Sequence, residues 1–482
     1  MFFTDELRDL EDYESQKQYF ELFVYKERVN GLFIFQCNNK IELIRKQTLV
    51  GALYDIKTDD DESFIKRWLT DDTINAVDDM CFHPVGVRES FDRTFRDGYG
   101  RLIFNLFSGW ADIPHIHMSQ SECDIILRPW MNIGLALCED NVKLFDLLLD
   151  HLANIIQYPR NRSTHCWAFV NSPQGAGKDV FFGAFGRLLG THYINSADPR
   201  AFFGDYAEGF VNKLCVVMNE VDNDMTTRRE SQLKDLITGN MLDVRMMYCR
   251  PTRIPNFGNF FIFSNKVQQT MFDADSGDRR YICATPAARV KYAYGGTSWA
   301  ELDNKVFRSE QFVSALFNFL ASRNIDGVNW SRRRKECLTG TYWRIFENSL
   351  HPIPRFIKKH IHLLESDQIH GHFMDRYEMI TKCSDKSYAI RINSLSFCRL
   401  VQVMQMEVGE RVEELYMLSN YISVKFHEVI TILEHRGVVY YFLNTKKLYN
   451  FVLQTWYPHK CTSTTTNDTL SDDVLQALSL IC

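Results

Sequence analysis

The segment Asn171-Ser172-Pro173-Gln174-Gly175-Ala176-Gly177-Lys178-Asp179 places paired glycines, a lysine and a carboxylate side by side. A nucleoside triphosphate is best held by inward backbone N–H groups, a helix N-terminus behind them, and a long cation reaching the β- and γ-oxygens. Gly175 and Gly177 permit the tight backbone path, Lys178 is the cation, and Val180 continues the helix whose dipole faces the phosphates. Gln174, Gly175, Ala176, Gly177, Lys178, Asp179 and Val180 are therefore the expected contacts for ATP and Mg²⁺. Two positions depart from the pattern G-x-x-x-x-G-K-[ST]. Ser172 replaces the first glycine, and Asp179 replaces the hydroxyl that ordinarily touches Mg²⁺. A carboxylate there repels phosphate unless metal intervenes, so Asp179 is expected to hold Mg²⁺ directly or through water. The plainer reading is a glycine-rich strand–helix turn with an incidental lysine.

Three further groups extend this chemistry. Leu214 to Met218 is an apolar run ending in Asn219-Glu220, with Asp222 and Asp224 behind it. Hydrolysis needs a carboxylate to polarise water and a polar ligand for Mg²⁺ on a rigid strand end. Glu220 is the expected base and shares the metal with Asp179, while Asn219 and Asp222 support it. Phe260 to Phe263 is a second run, ending in Ser264-Asn265, and Asn265 is placed to orient water. Arg279 and Arg280 are candidates for an arginine finger acting on a neighbouring subunit's nucleotide. Between the runs, Lys234, Arg245, Tyr248, Arg250 and Arg253 concentrate positive charge around an aromatic. A basic loop of this kind contacts nucleic-acid phosphates without reading sequence, unless it is simply a basic surface loop.

These groups need rigid elements to position them. Val142, Phe145, Leu148, Leu149, Leu152, Ile155 and Ile156 recur at helical spacing over 141–158, and Pro159 stops the helix. Cys166 to Val170 reads as a buried strand, followed by the glycine-rich turn and a helix to Leu189 with Gly190 as its stop. Strands alternating with helices predict an α/β core with a mostly parallel sheet over 160–285. An α+β region of unclear role precedes it (1–135), and the core with its helical lead-in spans 136–290. A helical extension (291–390), a winged-helix-like domain (391–458) and a tail (459–482) follow. The last domain is read as a helix over Val424 to His435, a strand over Val438 to Phe442, a turn at Asn444 to Lys447 and a strand over Leu448 to Leu453. Lys425, Lys446 and Lys447 would face phosphates there, although the same fold also docks proteins.

Composition bounds the alternatives. The 482 residues are 45% hydrophobic and 24% charged with a net charge of −6, which excludes a disordered chain and a globally basic coat protein. Thirteen scattered cysteines, many in apolar runs, read as reduced thiols. No apolar stretch approaches the ~18 residues of a membrane span, and the acidic start is not a signal peptide. A soluble intracellular protein is expected, in host cytoplasm or nucleus. The acidic run Asp59-Asp60-Asp61-Glu62 reads as a solvated turn rather than a metal site. His360, His362, His370 and His372 read as surface histidines rather than zinc ligands.

As an ordered set, Pro173 to Asp179, Asn219-Glu220, Asn265 and Arg279-Arg280 resemble a superfamily 3 helicase, an AAA+-like ATPase family of viruses, phages and plasmids. Phe104 to Trp110 and Leu152 to Pro159 resemble its lead-in segments, and the likeness covers roughly residues 80–345. It is closest to the helicase part of phage and poxvirus-type primase–helicases. The resemblance implies a replicative DNA helicase that assembles as a hexameric ring and moves 3′-to-5′ on single-stranded DNA at a fork. A primase or polymerase would be a separate partner. A DNA-translocating or packaging ATPase and a weakly hydrolysing replication scaffold are the rival readings. A nicking initiator, suggested by His115-Ile116-His117, lacks its tyrosine partner.

Overall fold

The computed structural model describes residues 2–10, 12–37, 40–198, 200–203, 209–219, 230–244, 252–265, 278–287, 298–361, 379–382, 388–407, 412–435 and 437–456. The chain divides into two compact units, the first comprising the described residues of Met1–Val267 and Arg279–Thr341, the second those of Tyr342–Thr469.

The first unit begins with helices α1 (Phe2–Arg8) and α2 (Tyr13–Phe20), strands β1 (Val24–Glu27), β2 (Phe33–Cys37) and β3 (Lys40–Ile44), helices α3 (Lys46–Ala52) and α4 (Phe64–Thr70), and β4 (Ala76–Val77). The strands form one sheet in the order β3-β2-β1-β4. Phe20, Phe64 and Trp68 are fully buried beneath it, with the Phe20 ring edge-on to both neighbours. The acidic run is a solvated turn, as its sequence predicts. Lys57 Nζ donates to Asp61 Oδ1 at 2.8 Å, and Arg67 reaches Asp60 at 3.1 Å. A small sheet follows, β5 (Asp79–Cys81), β6 (Thr94–Arg96) and β7 (Leu102–Asn105), in the order β5-β7-β6.

Helices α5 (Gln120–Leu137) and α6 (Val142–Gln157) lead into the core, each started by a side-chain cap, Ser119 on Glu122 N–H and Asn141 on Leu144 N–H. Then come β8 (Cys166–Phe169), α7 (Lys178–Leu189), β9 (Tyr193–Ser196), β10 (Cys215–Met218), the hairpin β11 (Met241–Val244) and β12 (Thr252–Pro255), β13 (Asn259–Phe263) and β14 (Tyr281–Ala284). The main sheet has the order β14-β8-β13-β10-β9, and every neighbouring pair is parallel. β8, β10, β13 and β14 are buried at every residue, which is why they read as unbroken apolar runs rather than alternating ones. The free edge of β14 is covered: Arg334 Nε donates to the Tyr281 carbonyl at 2.8 Å and Thr339 Oγ1 to that of Cys283 at 2.6 Å. The nine cysteines among the described residues are all free thiols. No helix among them is long and apolar enough to cross a membrane.

Three histidines of this unit are buried in the neutral form. In His192, Nδ1 lies 2.9 Å from the Asn212 carbonyl and Nε2 3.2 Å from the Ser108 backbone N–H. Nδ1–H therefore donates and Nε2 accepts, an arrangement that only a neutral ring satisfies. Burial lowers its pKa from 6.5 to about 4, that of His165 to about 4 and that of His151 to about 3. The unfolded chain then binds protons that the folded one refuses. Stability is fully present above pH 6.5 and is lost as pH falls from there toward 4. Urea midpoints measured across that window should fall steadily, and a flat profile would show these rings to be protonated in the fold.

The second unit holds helices Pro352–Phe356, Ser394–Glu407, Leu415–Lys425 and Thr445–Trp456, and strands β15 (Met379–Lys382), β16 (Tyr388–Asn393), β17 (Ile430–His435) and β18 (Val438–Asn444). The strands form an antiparallel sheet in the order β15-β16-β18-β17. This corrects the sequence reading in three places. The helix expected over Val424 to His435 is instead the end of a helix followed by β17. The strand expected over Leu448 to Leu453 is helical, because Leu448, Val452 and Trp456 are buried at four-residue spacing. Lys446 and Lys447 accordingly sit in the first turn of that helix, not at a hairpin tip.

Candidate functional site

The phosphate-loop segment links the C-terminal end of β8 to α7, at the strand ends where open α/β sheets bind ligands. Gly175 and Gly177 take φ of +78° and +81°, and Gly177 is the N-cap of α7. A side chain at either position would be strained by the left-handed backbone, which is the physical reason for both glycines. The loop is pinned from behind by Ser172 N–H, which donates to the Ser264 carbonyl at 3.4 Å. Trp130, stacked on Phe181 at 4.2 Å, donates its Nε1–H to the Phe181 carbonyl at 3.0 Å and fixes the first turns of α7 against α5.

Sheet order decides which side chains meet. Because β13 lies between β8 and β10, Asn265 at its end stands next to the phosphate loop. Lys178 Nζ donates to Asn265 Oδ1 at 2.9 Å and lies 5.4 Å from the centre of the Phe263 ring. The lysine is largely buried while Asn265 is exposed. Asp179 projects the other way, toward β10 and β9. Its Oδ1 accepts from Asn219 Nδ2 and from Asn195 Nδ2, each at 2.8 Å. Pro173, Gln174, Gly175, Ala176, Gly177, Lys178, Asp179, Val180, Asn219 and Asn265 thus line one cavity of about 250 Å³, together with Trp299. The arrangement offers a cation, a glycine-rich turn ahead of a helix N-terminus and a carboxylate whose second oxygen is not engaged by either amide. This donor set suits a phosphate chain and a hard divalent cation.

Of the remaining candidates, Glu220, Asp222, Asp224, Arg245, Tyr248 and Arg250 lie outside the described residues. Arg279 and Arg280 are not brought to this cavity. They precede β14, whose Tyr281 pairs with Cys166, and the Arg280 carbonyl accepts from Cys166 N–H at 2.8 Å. They therefore stand at the opposite end of the strands from the phosphate loop, about 10 Å or more away along β8. Arg253 is exposed on β12 and lies 3.7 Å from Asp243 across the hairpin. Lys234 lies in the helix Glu230–Thr238 that precedes it. The base of this hairpin is held firmly. Arg162 donates to the carbonyls of Leu236, Gly239 and Gly258, and Asn256 Nδ2 donates to those of Leu236 and Gly239 at 2.8 and 2.9 Å. His115 and His117 are exposed, and His362, His370 and His372 lie outside the described residues. No group of metal-binding side chains occurs among the described residues. Asn195 and Trp299 are site residues that the sequence reading missed.

Residues 170–280 match a family described as "Family of unknown function (DUF5906)". No curated protein matches the chain. Its fold is similar to that of the apo NrS-1 C-terminal region (305–718), with a TM-score of 0.60 and 18% identity over 87% of this chain and 95% of that one. A second apo structure of that region gives 0.58 and 17% over the same shares. The likeness extends over both units, and at this identity it is a likeness of fold.

Proposed function

We propose that the chain is an ATP-dependent DNA helicase of the superfamily 3 type, with an AAA+-like core acting as a ring on single-stranded DNA at a replication fork. The observation that carries this reading is the meeting of Lys178 with Asn265 beside Asp179 and Asn219, at the strand ends of a parallel sheet. The insertion of β13 between the phosphate-loop strand and β10 supports the AAA+-like assignment.

In this reading the backbone at the N-terminus of α7 and Lys178 bind the phosphate chain. Asn265 holds the ammonium in place and retains its Nδ2 donors for water or a phosphate oxygen. Mg²⁺, when bound, would neutralise charge on the β- and γ-oxygens, and Asp179 would hold it. Two amides fix Asp179 and leave its second oxygen for the ion or an ion-bound water. Glu220 remains the proposed base. Arg279 or Arg280, remote from their own cavity, are proposed to act on the neighbouring subunit's nucleotide. The basic hairpin, with Lys234, Arg245, Tyr248, Arg250 and Arg253, is proposed to contact DNA phosphates in the ring channel. A separate primase or polymerase is the proposed partner.

The second unit is proposed to be a winged helix. Between β16 and β18 the order is strand, helix, helix, hairpin, with β16 pairing with β18, so the helix Leu415–Lys425 takes the recognition position and the β17–β18 hairpin the wing.

Strand displacement on a tailed duplex, with ATP turnover followed in parallel, tests the helicase reading. Unwinding that depends on hydrolysis is expected. Turnover stimulated by duplex DNA without displacement would favour a translocating or packaging ATPase, and binding without turnover a scaffold. The substitution Asn195→Ala removes one of the amides fixing Asp179 without touching the phosphates. It is expected to raise the Mg²⁺ concentration for half-maximal turnover about tenfold, read by titrating the metal at saturating ATP. An unchanged titration would detach Asp179 from the metal.

A further inference from the structure

The cavity over the phosphate loop is smaller than the ~300–1,000 Å³ of pockets that enclose a whole small ligand. On the nucleotide reading it would take the phosphate chain and leave sugar and base at its rim. Among the described residues, the one aromatic side chain lining it is Trp299. This residue opens the short helix Trp299–Leu302, whose backbone is fixed by a capping box between Ser298 and Glu301. The indole is half-buried, and its Nε1–H donates to the Gly175 carbonyl at 3.1 Å. Its six-membered ring leans over Gly177, where an added Cβ would lie 3.1 Å from Trp299 Cη2 and 3.0 Å from Ile133 Cγ2. The glycine nearest the lysine is thus flanked by an indole on one side and an aliphatic branch on the other.

We propose that Trp299 is the platform for the nucleobase, a purine of a nucleoside triphosphate stacking on the indole while the triphosphate occupies the loop. The proposal rests on the nucleotide reading of the site and adds its base-recognition element. Aromatic stacking accepts any base, and favours purines for their larger face. The bond to Gly175 couples the two halves of the ligand, because a base that settles the indole also settles the carbonyl at the turn of the phosphate loop.

Calorimetric titration with ATP and with inorganic tripolyphosphate separates base from phosphate binding. Trp299→Ala is expected to weaken ATP about tenfold and tripolyphosphate by less than about twofold, whereas Trp299→Phe keeps most of the ATP affinity. ATP is also expected to quench tryptophan emission in the natural chain, with the quench absent in Trp299→Phe and absent with tripolyphosphate. This second reading does not depend on the alanine variant folding. Equal losses for both ligands in Trp299→Ala would make the indole a mere brace for the loop and overturn the proposal. ATP binding no tighter than tripolyphosphate in the natural chain would overturn it too, while leaving the phosphate loop intact. Failure of both ligands to bind would remove the nucleotide reading itself.

Discussion

Lys178→Ala is expected to lower ATP turnover by about a thousandfold, with little change in urea stability. A preorganised donor aimed at developing charge is worth roughly 10²–10³ in rate, and in the proposed reading this lysine would also attract the phosphates in the ground state. The fold is expected to tolerate its loss. Its amine meets Asn265, which is exposed, so removing the ammonium leaves the Asn265 carbonyl oxygen to water rather than orphaned in a core. Lys178→Arg is expected to fail nearly as badly, because a planar fork cannot occupy the place of a compact ammonium between the Asn265 amide and the Phe263 ring. Steady-state hydrolysis with and without single-stranded DNA, beside equilibrium unfolding, checks both halves. Turnover within about threefold of the natural chain would remove Lys178 from the chemistry.

The sheet was legible where strands are buried on both faces and long enough to form an apolar run. β8, β10 and β13 meet both conditions, and α6 and α7 announce themselves by spacing and by stops at Pro159 and Gly190. β14 escapes because Tyr281–Ala284, no shorter than β8, is bounded by Arg279-Arg280 and Thr285-Pro286, so no apolar residue lengthens its run as Val170 and Leu214 lengthen those of β8 and β10. β9 escapes because Tyr193–Ser196 is an edge strand with polar residues. Asn195 went with it, since an asparagine on an unrecognised strand carries no signal of the carboxylate it faces. Trp299 is over a hundred positions from Gly175 along the chain, and only packing brings them together. In the second unit two periods adjoin. Val438–Asn444 buries Tyr441 and Leu443 in alternation, whereas the following segment buries Leu448, Val452 and Trp456 at every fourth residue, with no residue between the two elements to mark the change.

Arg323→Ala is expected to cost about 3–5 kcal/mol of stability, and the reason is a buried charge network on α6. The Arg323 side chain is 1% exposed and donates to Asp146 and, from Nε at 2.8 Å, to Asp150 on α6. Arg333 completes the group, its Nη2 lying 2.7 Å from Asp146 Oδ2 and 2.9 Å from Asp150 Oδ2. Two cations and two carboxylates thus balance inside the protein and join α6 to the helices that follow the core. Burial holds the Asp150 carboxyl above its ordinary range despite both arginines, so the network is under desolvation stress and loses badly when unbalanced. Removing Arg323 leaves two buried carboxylates facing Arg333, which is one-third exposed and screened by water. The same physics predicts the rescue. Adding Asp146→Leu and Asp150→Leu to Arg323→Met replaces charges with apolar groups of similar bulk, a change that is often neutral or stabilising, while Arg333 turns to solvent. Urea unfolding of the single and triple variants distinguishes the cases. A loss below about 1 kcal/mol in Arg323→Ala, or a triple variant no better than the single one, would mean that apolar packing, not charge balance, holds α6 to the helices behind the sheet.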